Sequence, residues 1–462
     1  MIPEFVRLSG YIAVTTLIGF GIICLIPFKN KISLLTERLF LSYGIGVGFI
    51  SLEMLLFYLL GMKFSLTNIL APWAMLLIIN LLIYFKGRKK IIIDKTTGMN
   101  PEGSGFLKIF LTLGITFEVF YAFFRAFIKP MEAYDAIAIY AIKAKAFYLA
   151  SSIPQDFFYN LALFLPHPDY PLNIPLAETF VYLFLGSLND QLVKIIFPLF
   201  FVGILGILYS GIRRFASNAY ALLFTFILAS IPQFSSYAAN GYLDIVLAYY
   251  YFASALFLFL WFKNVRDYQF LLVSGIMAGL AAWTKNEGSM YCVINIVLIA
   301  IYLLENRANV TIRKSIIYLC GYIFVVLILL SGWLWIKTSA HLVNDEIDLA
   351  RLNPYNLSGQ YSRIWPIIYE FQKQFLGPKK WNIVWIIFIF LLLGGIKRAF
   401  SKDIKYITLS IFFAFGGYIL IYMITSQNIA WHLSSTASRF FIHFLPVVIY
   451  WFAAMLKEDL KV

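Results

Sequence analysis

The stretch Lys129–Ala150, "KPMEAYDAIAIYAIKAKAFYLA", decides how the chain is read. It follows a long apolar run, yet it sets acids, lysines and tyrosines into a helical pattern too polar to cross a bilayer. From Asp135 onward, Ile137, Tyr140, Ala141, Ala144, Phe147 and Tyr148 recur at helical spacing, as in a helix lying in the interface plane. Lys143 and Lys145 are two residues apart and so point roughly 200° away from one another on a helix. At most one of them faces the same site as Asp135, and the other is expected to snorkel to phosphate headgroups.

Working outward, the rest of the chain is mostly apolar. Hydrophobic residues make up 61% of the 462 and charged residues 13%, with a mean hydropathy of +0.81. Soluble domains carry roughly 25% charged residues, so the composition predicts a polytopic membrane protein, all-α. An aromatic content of 19% fits rings at headgroup level. The three cysteines, Cys24, Cys292 and Cys320, lie in apolar runs without metal-ligand spacing, so neither a disulfide nor a cysteine-bound metal is expected. The first apolar run, about Leu8–Pro27, reads as a retained helix rather than a signal peptide.

Spanning helices are predicted near 8–27, 39–60, 68–85, 105–128, 191–211, 218–236, 242–262, 269–284, 288–304, 314–336, 382–396, 404–425 and 440–456. That gives about thirteen, each near or somewhat short of the ~20 residues a bilayer needs. Alternate loops are basic: "FKNKISLLTER", "FKGRKKIIIDK", "IRRFAS", "FKNVRD", "ENRANVTIRK", "IKRAFSKDIK" and the tail "KEDLKV". They mark the cytoplasmic side, which accounts for the net charge of +14 without nucleic acid. The opposite side receives the outer loops 129–190 and 337–381, the turns "FSSYAANGYLD" and "WTKNEG", and "SQNIAWHLSSTASR". Treating 172–187 as a further span would flip "IRRFAS" outward, so that segment is read as interfacial. Long loops of mixed chemistry are where function is usually built.

Several residues have an ordinary structural reading beside a chemical one. Asp135 and Asp244 each open a helical pattern and would serve as N-caps. Lys285, in "TKNEG", is at membrane depth, where an unpaired charge is expensive; it pairs with Glu287 or Asp244, or binds phosphate. Arg439 is a phosphate ligand or an outer anchor. His167 and Asp169 in "HPDYP" offer two metal ligands, which do not make a site. Asp345, Glu346 and Asp348 read as a solvated loop face. Glu53 and Glu118 lie within apolar spans, where acids are functional suspects; a structural role, pairing with Arg125 or protonation, is expected.

"YDAIAIYAIKAKAFY" followed by "FLPHPDYPLNIPLAETF" resembles the first outer loop of the C-type membrane glycosyltransferases, the GT-C fold. That group includes protein O-mannosyltransferases and lipid A aminoarabinose transferases. "ANGYLDIVLAYY" is similar to the family's second outer turn, "GLAAWTKNEG" to its threonine-lysine turn, and "AWHLSSTASRFFIHFLP" to a late segment of related bacterial sequences. The likeness covers about 105–456, so residues 1–104 are expected to be accessory helices and 105–462 the catalytic core. No DxD stands in the first loop, and "HPDYP" replaces the lysine-proline-proline of the aminoarabinose enzymes.

The resemblance implies transfer of a sugar from a polyprenyl-phosphate donor to an acceptor on the outer face of the plasma membrane, with inversion and without metal or cofactor. Asp135 would be the general base, and Asp244 would help to position the acceptor or a second helix. Lys143, His167, Asp169, Tyr170, Lys285, Glu287, His432 and Arg439 would bind substrate. The acceptor is a protein, a lipid or a wall polymer. The alternatives are a transporter or flippase of lipid-linked sugars, a lipid-linked polysaccharide polymerase or ligase, and a non-catalytic scaffold. A transporter should show repeated halves or paired broken helices, and neither stands out.

Overall fold

The computed structural model describes residues 2–26, 35–87, 105–159, 167–344, 346–353, 355 and 358–457. The basic segments 28–34 and 88–95, most of the basic tail, and Asp345 lie outside the described residues. Among the described residues, seventeen α-helices of six residues or more form the bundle. They are α1 (Ile2–Cys24), α2 (Leu35–Leu59), α3 (Leu66–Gly87), α4 (Gly105–Ile128), α5 (Ile142–Ala150), α6 (Asn173–Leu185), α7 (Ile196–Arg213), α8 (Asn218–Ala229) and α9 (Pro232–Tyr237). There follow α10 (Asp244–Lys263), α11 (Tyr268–Thr284), α12 (Asn286–Glu305), α13 (Ile312–Ser339), α14 (Ile364–Phe375), α15 (Val384–Gly394), α16 (Lys405–Ile424) and α17 (Ile429–Leu456). Extended pairing among the described residues amounts to one antiparallel bridge, Ile347 with Thr425.

Nine of the described helices are long and apolar enough to cross a membrane. Four more, the Leu66–Asn80 part of α3 and the shorter α8, α11 and α15, coincide with the remaining predicted spans. A further short one, α6, is the segment 172–187. Its 13 residues reach only ~20 Å, too little for a hydrocarbon core of about 30 Å. It does not lie along a surface, however: it is enclosed, packing on α1, α2 and α5.

Helix ends follow local chemistry. The predicted single helix over 218–236 is two, because Pro232 cannot continue α8 but suits the first turn of α9. The last helix begins eleven residues before the predicted 440. Asn428 caps it, its side chain accepting from the amides of Ala430 and Trp431 at 3.0 and 3.2 Å. The hydroxyls that make "SSTAS" look like a loop turn back onto the helix: Ser434 and Ser435 donate to the Trp431 carbonyl, and Thr436 to that of His432. Arg439 therefore sits inside a helix, not at its start.

α10 is the axis of the bundle. It is apolar all round and fully enclosed, packing on α7, α11 and α17. α4 and α13 are the opposite case, with exposed Phe106, Phe117, Phe120, Phe324 and Trp335 directed outward, as lipid-facing helices require. α2 is packed into the interior against α6, α7 and α13. A buried two-point pair between Glu37 and Arg214, at 2.8 and 2.5 Å, fastens α2 to the end of α7.

Candidate active site

Asp244 is the first residue of α10 and is wholly buried. It does not cap its helix. Oδ1 accepts from Lys285 Nζ at 3.1 Å and from His443 Nε2 at 2.7 Å, and Oδ2 accepts from Arg439 Nε at 3.1 Å. Arg439 extends the chain of charges by donating from Nη1 to Asp135 Oδ2 at 2.6 Å. Its guanidinium lies 4.5 Å from the ring centre of Tyr242, a face-on cation–π contact. Lys285 in turn pairs with Glu287 at 3.0 Å. Asp135, Asp244, Lys285, Glu287 and Arg439 thus form one continuous cluster, although they come from four separate parts of the chain.

Two glycines permit the approach. Gly241 adopts φ +90°, and a Cβ there would come within 2.8 Å of the Ala136 Cβ; the turn before α10 is thereby laid against the segment that follows Asp135. That segment, Ala136–Ala141, is a wide i→i+5 turn, a feature frequent at functional sites. Asp135 makes no side-chain cap to it, so its carboxylate is left to Arg439. Gly288 lets the first turn of α12 fold back on α11, since a Cβ would strike the Ala281 carbonyl oxygen at 2.1 Å. This closes the "TKNEG" turn that presents Lys285 and Glu287. Behind it, Ser51 donates to Asn173, Asn173 to Thr284, and Trp283 to Ser51, all at 2.7–2.8 Å.

Exposure divides the acids. Asp244 has none, whereas Glu287 retains 17% and Asp135 21%. A carboxylate held by two cations and closed to solvent has no face left for a substrate; a partly open one at the edge of the cluster can meet one.

A second group adjoins the first through Asn286. Asp169 is buried and accepts from Asn344 at 3.0 Å and from Asn286 at 3.5 Å. Lys143 is buried and donates to the His167 carbonyl at 2.6 Å; burial brings its pKa down to about 7, with Asp169 opposing. His167 has φ +55°, and its ring stacks on Tyr170 at 4.6 Å. Tyr170 hydrogen-bonds Glu346, whose carboxyl is raised by burial. Between the two groups is a small cavity of about 20 Å³, lined by Tyr170, Lys285, Glu287, Glu346, His432 and Phe440 among others. His432 is held by Thr425 at 2.9 Å.

Several expectations change. Glu346 is not a solvated loop face: Ile347 bridges to Thr425, the Ser426 amide bonds the Glu346 carbonyl at 3.0 Å, and the side chain is turned into the cavity. Asp348 does stay on a solvated face, its side chain 42% exposed, where it accepts from the Ala350 amide and pairs with Arg351. Lys145 does not reach for headgroups but pairs with Asp190 at 2.7 Å. Glu53 and Glu118 keep the structural role expected of them, but through other partners than Arg125: Glu53 accepts from the Trp73 indole at 2.5 Å and Glu118 from the Ser235 hydroxyl at 3.2 Å, so both stitch neighbouring helices. Arg125 lies against the Tyr121 ring. Among the described residues, no group of three His, Cys, Asp or Glu side chains is arranged to hold a metal ion.

The residue that sequence reasoning missed is His443. Its Nδ1 meets the Tyr418 hydroxyl at 2.5 Å, and Tyr418 meets Tyr291 at 2.8 Å, so a buried hydrogen-bonded chain runs inward from Asp244. The available signal was spacing: His443 follows Arg439 by four, so both lie on one face of α17.

Fold and site together define a polytopic helical membrane protein with a desolvated acid–cation cluster at one end of its central helix. The family model of dolichyl-phosphate-mannose-protein mannosyltransferase matches residues 167–336, which indicates a membrane glycosyltransferase of the GT-C type. That segment contains Asp169, Tyr170, Asp244, Lys285 and Glu287; Asp135, Lys143, His432 and Arg439 lie outside it. No curated protein and no solved structure matches the chain.

Proposed function

We propose that this protein transfers a sugar from a polyprenyl-phosphate donor to an acceptor hydroxyl at the extracytoplasmic face, with inversion and with Asp135 as general base. The observation that carries this reading is the convergence of Asp135, Asp244, Lys285, Glu287 and Arg439 around α10, where acids and cations meet with little water. In the reaction the acceptor oxygen attacks the anomeric carbon, and the bond from that carbon to the phosphate oxygen breaks. Its electrons leave on the phosphate, and the acceptor proton passes to Asp135. A single displacement inverts the anomeric centre.

The charge that grows on the departing phosphate is met by Lys285 and Arg439, fixed cations in a low-dielectric site; no metal enters the scheme. Asp244 orients both, and His443 orients Asp244. The same pairing gives a reason for order. Donor phosphate competes with Asp135 for the Arg439 guanidinium, so its arrival loosens the Asp135–Arg439 bond and frees the carboxylate to accept a proton. Glu287, Tyr170, Glu346 and His432 line the adjoining cavity, which at about 20 Å³ has room for one water, so they would contact sugar hydroxyls only once its walls part; Lys143, His167 and Asp169 brace one of those walls.

The test is Asp135→Asn in a transfer assay with polyprenyl-phosphate sugars; the family description makes polyprenyl-phosphate mannose the first donor to try. The expected result is a loss of about 10²–10⁴-fold in rate, with unchanged membrane insertion and a thermal midpoint within a few degrees of wild type. Full activity in a correctly inserted Asp135→Asn protein removes the base assignment.

A further inference from the structure

α10, α12 and α16 each run from the region of the acid–cation cluster to a second concavity at the opposite end of the bundle. Twenty residues of α10 separate the two by roughly 30 Å. Here the loops after Lys263, Glu305 and Ala399 enclose a cleft of about 990 Å³. Taken singly, the basic character of these loops is what the positive-inside rule demands. The fold adds that they surround one cavity.

Five Lys or Arg side chains and two acids line the cleft, an excess of three positive charges. The acids brace the rim: Lys263 pairs with Asp403 and Lys405 with Glu305, and the Tyr406 hydroxyl donates to Glu305 at 2.6 Å. Arg266, Lys314 and Lys402 stand outside both pairs and line the same space. The wall behind them is aromatic, with Phe262 packed against Tyr302 at 4.7 Å and against Tyr406 at 4.5 Å. At the rim Phe400 is 45% exposed and stacks on Phe412, which provides an apolar way out.

We propose that this cleft binds the headgroup of an anionic phospholipid, with its phosphodiester against Arg266, Lys314 and Lys402 and its acyl chains leaving past Phe400. Basic pockets between membrane helices suit such headgroups. The aromatic wall and apolar exit favour an amphiphile over a free anion, and the volume exceeds what a lone phosphate fills. The site stands apart from the reaction centre and does not depend on the transfer reaction proposed above.

The test uses the full-length protein in detergent, titrated with dioleoyl phosphatidylglycerol, dioleoyl phosphatidylcholine or inorganic phosphate, and read by thermal unfolding and native mass spectrometry. Phosphatidylglycerol is expected to bind and stabilise, phosphatidylcholine much less, and phosphate not at all. Each cation near a membrane surface is worth about fivefold in affinity. Combining Arg266→Gln, Lys314→Gln and Lys402→Gln should therefore weaken phosphatidylglycerol binding about 100-fold while leaving the unfolding temperature in detergent alone unchanged. Should the triple variant not fold, Arg266→Gln and Lys402→Gln singly are each expected to show about a fivefold loss. Wild-type lipid affinity in these variants, equal binding of phosphatidylcholine, or saturation by inorganic phosphate overturns the proposal.

Discussion

At the Asp244 end of α10, the carboxylates of the cluster face cations inside the bundle around a cavity of about 20 Å³; at the Lys263 end, cations outnumber acids around an open cleft of about 990 Å³. Both concentrate charge, but they do so under opposite conditions. In the closed cluster the charges are desolvated, so each holds its neighbour strongly and a change in one is felt by all. In the open cleft water screens the same residue types, and individual pairs contribute little. Cavity size is therefore a poor guide to chemistry here. The reaction is assigned to the smaller space because its charges are fixed and dry, and the larger one is left to binding.

The comparison can be broken most sharply at Asp244. Asp244→Ala strands Lys285, Arg439 and His443 without their shared acceptor, and breaking a buried ion pair in this way costs about 3–5 kcal/mol. Thermal unfolding in detergent should show it, together with loss of transfer. A midpoint close to wild type would mean that the cluster is looser than its distances imply.

Lys285→Met keeps much of the side-chain volume and removes the charge. With one charge-assisted contact to the donor phosphate worth roughly 1.5–3 kcal/mol, donor affinity should fall about 10–100-fold. Unchanged affinity, measured by competition with a labelled polyprenyl phosphate, would confine Lys285 to its pairing with Asp244 and Glu287.

Lys143 sharpens the contrast through pH. Its pKa is about 7 in the folded protein, against about 10.4 in an unfolded chain. Between these values the unfolded state binds the extra proton, so stability should rise with pH from about 7 toward 10, by at most about 1.4 kcal/mol per pH unit. Below pH 7 the contribution is flat. Unfolding midpoints of wild type and Lys143→Met, compared from pH 6 to 9, should lose their constant offset above pH 7, with wild type gaining on the variant; parallel curves would mean that Lys143 is not desolvated.

At the other end, Asp403→Ala removes the partner of Lys263, where the two side chains are 52% and 30% exposed. An exposed pair of this kind is worth less than about 1 kcal/mol. A loss as large as that of Asp244→Ala would erase the distinction between the two ends.

Much of the architecture was legible in the residues. Thirteen apolar runs, alternating basic loops and the polar stretch after Ile128 all follow from hydropathy and charge, which act locally and survive without knowledge of packing. Asp135, Asp244, Lys285 and Arg439 stood out because a charge next to an apolar run is costly wherever it ends up. What stayed hidden depended on partners far along the chain. Asp135 and Asp244 read equally well as caps until Gly241 laid one turn against the other. Glu346 looked like a solvated acid until Thr425 and Tyr170 took hold of its loop. His443 was one more ring in an apolar helix until Asp244 came within 2.7 Å.

Composition alone, then, determined that this chain is a membrane helix bundle and which of its residues would be expensive to bury. Only the tertiary structure decided how that expense is met. Desolvated charges must be neutralised at distances of about 3 Å, and which acid finds which cation at that range is set by helix packing, not by sequence neighbourhood.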